Sequence, residues 1–210
     1  MKNGFGRECI FGKVGTTFFF DLDGTITRQE LLPLIGRELG IYDELQELTK
    51  RTMQGDIPFD QSFIHRVNLL ASVPLSVIQE IVLSAPCFNE VLDWIKEHRD
   101  NCYVVTGNLD IWINPWLESH QIRGFTSTSK IVNDKVMVNK ILKKETVLSG
   151  FINSKTVMIG EGANDSRIME LSDVGIATEL THKVAPILWE HANYVVKDQA
   201  TLCRLLTQLS

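Results

Sequence analysis

Short apolar runs rich in aromatic and β-branched side chains recur along the chain, at Thr17–Phe20, Cys102–Val105, Thr156–Ile159, Val174–Ala177 and Tyr194–Val196. They do not alternate with polar residues, so they predict strands covered on both faces, as in a parallel sheet. Helical spacing fills most of the intervals, at Asn89–His98, Ile111–Ser119, Ser166–Leu171 and Lys183–His191. Strands alternating with helices predict an α/β fold with a doubly wound, Rossmann-like parallel sheet. The segment from Ser129 reads as a hairpin turning at Asn133-Asp134, a side excursion from that sheet.

One region breaks the alternation. From Gln29 to about Ala85 only helical patterns occur. Tyr42–Met53 carries Leu45 and Leu48 on one face, and Phe59–Leu70 carries Phe63, Val67 and Leu70 on one face. Gly55-Asp56-Ile57-Pro58 separates these two helices, and Pro74 suits the first turn of the next. A small helical domain over residues 28–85 is therefore expected after the first strand. Residues 1–27 and 86–210 would form the α/β core.

Composition narrows the partners. With 210 residues, 44% of them hydrophobic, the chain has enough apolar surface for one core and an insert. The net charge is −5, and Lys143-Lys144 is only a doublet, so no nucleic-acid partner is expected. The N-terminus lacks the apolar stretch of a secretory signal, and no run approaches the ~20 residues that span a bilayer. A soluble cytoplasmic protein with no membrane partner is expected. Cys9, Cys87, Cys102 and Cys203 are scattered without metal-ligand spacing, which predicts free thiols in a reducing compartment. Trp94, Trp112, Trp116 and Trp189 are read as core, the alternative being a homodimer interface.

The chemistry collects where three strands are expected to end. The first is followed by Asp21-Leu22-Asp23-Gly24-Thr25, the second by Thr106-Gly107-Asn108, and the third by Gly160-Glu161-Gly162-Ala163-Asn164-Asp165. Ligands of open parallel sheets bind beyond the carboxyl ends of the strands. Residues i and i+2 of an extended segment project to one side, so Asp21 and Asp23 can reach one small volume. Two close carboxylates repel unless a cation joins them. Mg²⁺ is such a cation, preferring oxygen ligands and binding phosphate too. Glu161 and Asp165 offer further oxygen, while Thr106 and its neighbours offer a hydroxyl and backbone N–H groups for an anion. The set predicts a Mg²⁺-dependent phosphoryl site with a carboxylate available as nucleophile.

DLDGT, then VVTGN, then a lysine, then GEGAND resembles the haloacid dehalogenase superfamily of phosphatases. The helical insert resembles the cap of its phosphoserine phosphatase branch. Glu30 and the run from Thr49, with Met53, Phe59, Ser62 and Arg66, fall on that branch's cap positions. The resemblance implies that Asp21 attacks phosphorus and forms an aspartyl-phosphate. Asp23 protonates the leaving oxygen and then activates water. Asp21, the Asp23 backbone carbonyl and Glu161 hold Mg²⁺, with Asp165 close behind. Thr106, the Gly107 amide and Asn108 bind phosphate, and Asn164 orders the site. Glu30 faces a substrate ammonium and Arg66 its carboxylate. A lysine clamps the phosphate: Lys144 fits best at the entrance of an expected helix Glu145–Ile152, with Lys143 and Lys140 as alternatives.

The chain departs from the family pattern at three points. Glu161 replaces the aspartate that usually opens the fourth motif, Asn108-Leu109 replaces Gly-Phe in the second, and Gly24 stands where serine is frequent in that branch. The expected substrate is a small phosphorylated, phosphoserine-like metabolite. The alternatives are phosphoryl transfer to another acceptor, or a catalytically weak relative that binds a phosphorylated ligand.

Overall fold

The computed structural model describes residues 15–210. Seven strands form one sheet: β1 (Thr16–Phe20), β2 (Cys102–Leu109), β3 (Arg123–Val132), β4 (Lys135–Lys140), β5 (Lys155–Gly160), β6 (Val174–Thr178) and β7 (Tyr194–Val196). Their order is β4-β3-β2-β1-β5-β6-β7, and every pair is parallel except β3 with β4. The chain builds outward from β1 in both directions. The strand order therefore reverses at β1, and the crevice of such a sheet lies at that reversal.

The phenylalanine run makes β1 central because each face has its own core to fill. Phe18 and Phe20 pack toward Trp94 of the helix α5 (Asn89–Glu97), while Phe19 packs on the opposite face against Tyr103 and Phe151. All three are at most 1% exposed. Burying each contributes roughly 1.5–3 kcal/mol.

The intervening segment is helical. It comprises α1 (Leu31–Leu39), α2 (Tyr42–Gln54), α3 (Phe59–Leu70) and α4 (Leu75–Leu83). The apolar stripes read from the sequence face inward: Leu45, Phe63, Val67 and Leu70 are buried in the same cluster as Phe18 and Phe20. The segment leaves and re-enters the sheet through neighbouring strands of chain, since Thr27 pairs with Cys87 and Arg28 N donates to Pro86 O at 2.8 Å.

Four expectations need correction. The hairpin is no side excursion: β3 pairs with β2 through its first half and with β4 through its second, so β4 is the sheet edge. Asn133 and Asp134 do make its turn, with φ of 49° and 58°. The second strand does not stop at Val105 but runs to Leu109, its pairing slipping between those residues. The helices expected at Glu145–Ile152 and Lys183–His191 are short 3₁₀ turns over Lys144–Gly150 and Pro186–Glu190. Ser149-Gly150 disfavours helix continuation, and Pro186 holds Ala185 extended, at φ −56° and ψ 134°. Trp189 is 59% exposed, whereas the other three tryptophans are buried.

The remaining helices are α6 (Asp110–His120), α7 (Ser166–Leu171) and α8 (Gln199–Leu209). Cys87, Cys102 and Cys203 are free thiols. Cys9 and the reading of the N-terminus as lacking a signal fall outside the described residues. Among the described residues no single helix is long and apolar enough to cross a membrane.

Candidate active site

Asp21 continues the β1 ladder, its amide donating to Ile159 O at 2.8 Å. Leu22 turns into the core, fully buried, so Asp21 and Asp23 face the other way together. Both line one cleft with Glu30, Arg66, Gly107, Asn108, Glu161 and Asn164.

The two acids have different neighbours. Asp21 Oδ1 accepts a hydrogen bond from Lys144 Nζ at 2.7 Å, and the same ammonium donates to Asp165 Oδ1 at 2.6 Å. Lys144 is only 3% exposed, whereas Lys140 and Lys143 are exposed. Burial works against the Lys144 charge, but Asp165 and Asp21 outweigh it and raise its pKa. Asp21 moves up to about 7, through burial first and then the Asp165 charge, with Lys144 opposing.

Asp23 is held at both oxygens. Oδ1 accepts from the Leu31 amide at 2.6 Å, in the first turn of α1, and Oδ2 accepts from Asn108 Nδ2 at 2.5 Å. Burial raises its pKa despite these bonds. Asn108 Nδ2 also lies 3.0 Å from Thr106 Oγ1. Thr106 itself is fully buried, its hydroxyl accepting from Asn108, and it does not line the cleft. This pair thus braces Asp23 from beneath the floor, a connection across 85 residues that spacing in the sequence could not signal.

The third loop divides the same way. Asp165 does not face the cleft: Oδ1 is taken by Lys144, and Oδ2 accepts from the amides of Glu161 and Gly162 at 3.1 Å each. It fixes the loop rather than offering a free ligand atom. Glu161 is the opposite case. It is 1% exposed, and neither carboxylate oxygen has a hydrogen-bond partner. Burial, then the Asp21 charge, lifts its pKa to about 9. Orphaned buried carboxylate oxygens of this kind need a cation or a proton. Asp21, Asp23 and Glu161 give an all-oxygen donor set that fits a hard divalent ion such as Mg²⁺.

Two glycines make room for these contacts. Gly24 sits at φ +67°, and a methyl group there would lie 1.9 Å from Glu161 Oε1. A methyl group at Gly107 would lie 2.3 Å from Phe59 Cζ, so the α3 ring can rest directly on the β2 backbone. A side chain at either position would force the Glu161 carboxylate end or the Phe59 ring to shift, and Gly24 is favoured also by backbone conformation.

From the helical segment, Arg66 is 4% exposed and reaches the cleft beside the stacked rings of Phe59 and Phe63. Its guanidinium donates to Thr49 Oγ1 at 3.0 Å and to Ser62 O at 3.3 Å. Among the described residues it forms no ion pair with a carboxylate. Glu30, the residue preceding α1, has its pKa raised well above the ordinary value by burial and then by the Asp23, Glu161 and Asp21 charges. Thr49 and Thr52 line the cleft as well and were not singled out in the sequence. Their spacing from Leu45, four and seven residues on, puts them on the α2 face that packs inward, which is the signal that could have found them.

Comparisons with known proteins identify the family and the fold. The family model described as haloacid dehalogenase-like hydrolase matches residues 18–165. A phosphoserine phosphatase of Methanocaldococcus jannaschii is 28% identical over 196 residues, covering 86% of this chain and 91% of its own length. One from Streptococcus thermophilus is 27% identical, covering 75% and 80%. Among solved structures, a substrate-bound phosphoserine phosphatase complex superposes with a TM-score of 0.79 at 23% identity, over 94% of this chain and all of the other. An aspartyl-phosphate analogue of phosphoserine phosphatase gives 0.76 at 24% identity, over 95% and 100%. The match over most of the sheet, including β1, β2 and the Glu161 loop, places the chain in the haloacid dehalogenase-like hydrolase family.

Proposed function

We propose that this chain is a Mg²⁺-dependent phosphomonoester hydrolase acting on a small phosphorylated metabolite that also carries a carboxylate and an amine, as phosphoserine does. The observation that carries the reading is the pairing of Asp21 with the buried Lys144 ammonium at 2.7 Å in a cleft that also holds the unpaired Arg66. Residues 28–85 would act as the substrate-selecting cap.

In this reading Asp21 attacks phosphorus, a new P–O bond forms, and the ester oxygen leaves. Asp23 supplies the proton to that oxygen, and its raised pKa keeps the proton available. The Leu31 amide and Asn108 aim its carboxyl group. Asp23 then removes a proton from the water that attacks the aspartyl-phosphate, releasing phosphate and restoring Asp21. Lys144 neutralises charge on the nucleophile and the transferred group. The Asp21 carboxylate, the Asp23 backbone carbonyl and Glu161 would hold Mg²⁺, which when bound offsets the negative charge of the phosphate oxygens. Arg66 suits a substrate carboxylate because its planar fork donates to two oxygens at once. Glu30 suits an ammonium.

The test uses p-nitrophenyl phosphate and a panel of phosphorylated metabolites that includes phosphoserine. Asp21→Asn should reduce turnover with Mg²⁺ to background for every ester. Arg66→Ala should cost about 1.5–3 kcal/mol in kcat/KM for carboxylate-bearing esters and little for p-nitrophenyl phosphate. Comparable activity in Asp21→Asn would sink the nucleophile assignment.

A further inference from the structure

A groove of about 410 Å³ opens beside the Asp21 cleft, between α2 and the loop 182–186. Glu30 and Thr49 line both, so the two spaces adjoin. The α2 wall follows one helix face, with Gln46, Lys50 and Gln54 at i, i+4 and i+8. The opposite wall is tied to the core at three points. The Ala185 amide donates to Glu161 O at 3.0 Å, Thr181 Oγ1 to Gly24 O at 3.0 Å, and the Val184 amide to Glu179 Oε1 at 3.4 Å. That fixed wall presents an apolar stretch, Val184-Ala185-Pro186. The charges along the groove do not balance. Lys50 is exposed and, among the described residues, forms no ion pair. Lys183 and Lys197 share the single carboxylate of Glu179, at 3.6 and 3.3 Å, which leaves a positive excess at the loop. Burial lowers the His182 pKa, so this ring enters as a neutral hydrogen-bonding group. Among the described residues Glu30 is the only acid in the lining, and it stands where the groove meets the cleft.

We infer that this groove is a second specificity subsite, which holds an anionic group at the far end of the leaving group between Lys50 and Lys183. The inference rests on the reading that Asp21 attacks a phosphomonoester, and it narrows the substrate class. The leaving group carries an anion beyond the carboxylate assigned to Arg66, on a chain long enough to pass Glu30. Charge sets the direction. An anion is repelled at Glu30 and attracted at the lysines, so the neutral or cationic part of the chain passes Glu30 and the anion lies beyond it. The apolar body of the chain rests on Val184-Ala185-Pro186, while Gln46, Gln54 and His182 offer hydrogen bonds around the anion. Because Lys50, Gln46 and Gln54 belong to the helical segment and the loop belongs to the core, such a substrate bridges the two parts of the molecule.

Calorimetric titration with ω-carboxyalkyl phosphonates of increasing chain length, in the presence of Mg²⁺, tests it. The ω-hydroxyalkyl phosphonates of equal length serve as neutral controls. In wild type the long carboxylates should bind about fivefold tighter than their controls, and the preference should fade at high salt. Lys50→Gln should lose that preference, and Lys50→Arg should keep it. Arg66→Ala should instead weaken the short carboxylates. Long carboxylates that bind wild type no tighter than their controls would overturn the proposal, as would an equal preference in wild type and Lys50→Gln. Phosphonates are not hydrolysed, so this result stands apart from turnover, and p-nitrophenyl phosphate decides the hydrolase reading separately.

Discussion

Lys144 is the residue on which the charge balance of the site turns. It stands between Asp21 and Asp165, all three nearly inaccessible to water. Removing one partner of a buried ion pair leaves the others uncompensated, typically at a cost of about 3–5 kcal/mol. Lys144→Ala should therefore lower unfolding stability by roughly 3 kcal/mol at pH 8, read from the midpoint of a urea transition. The loss should shrink at pH 5, where Asp21 keeps a proton. An equal loss at both pH values would remove the electrostatic explanation. Three lysines were open at this position from the sequence, because all of them precede the strand that ends at Gly160. Burial separates them, and burial depends on how the hairpin returns to the sheet.

At the scale of elements, the strand ends were legible because apolar runs stop abruptly at acids and glycines. What lies between strands was less so. The slip in β2 carries Gly107 and Asn108 inside the strand, and no local pattern announces a bulge. The contact of α3 on β2 was hidden for the same reason, since Phe59 and Gly107 meet only in three dimensions. That contact yields a prediction. Gly107→Ala overpacks the seam and should cost about 1–3 kcal/mol, but much less in a Phe59→Ala background. A double-mutant cycle in a denaturant titration measures the difference, and strictly additive effects would show that the ring and the strand are not coupled. The Asp23 support was likewise not readable, as one hydrogen bond comes from the α1 backbone and the other from Asn108.

For the whole molecule, the acids around the cleft tie stability to pH and metal. Asp21 is raised to about 7 and Glu161 to about 9, so without metal the folded protein binds protons that the unfolded chain has released. Folded pKa values above the unfolded ones give a contribution complete below about pH 4 and lost as pH rises through 7 and then 9. Metal-free protein should melt at progressively lower temperature from pH 6 to pH 9. Mg²⁺ competes with those protons, so the stabilisation it adds should grow over the same interval. Melting curves with chelator and with Mg²⁺ at pH 6, 7.5 and 9 check this. A Mg²⁺ increment independent of pH would contradict the assignment of these carboxylates to the ion.

The contact between Gly24 and Glu161 also orders the routes by which this sequence can change. The longer glutamate occupies the space a side chain at 24 would need, so a mutational path that first adds a side chain there meets both the clash and a positive φ, the latter alone costing roughly 1–2 kcal/mol. A path that first shortens Glu161 removes the clash and leaves only the backbone term. Glu161→Asp should therefore be tolerated alone, Gly24→Ala should cost at least its backbone term of about 1–2 kcal/mol alone, and the pair should be milder than Gly24→Ala. Equal melting of Gly24→Ala with and without Glu161→Asp would show that the two positions evolve independently.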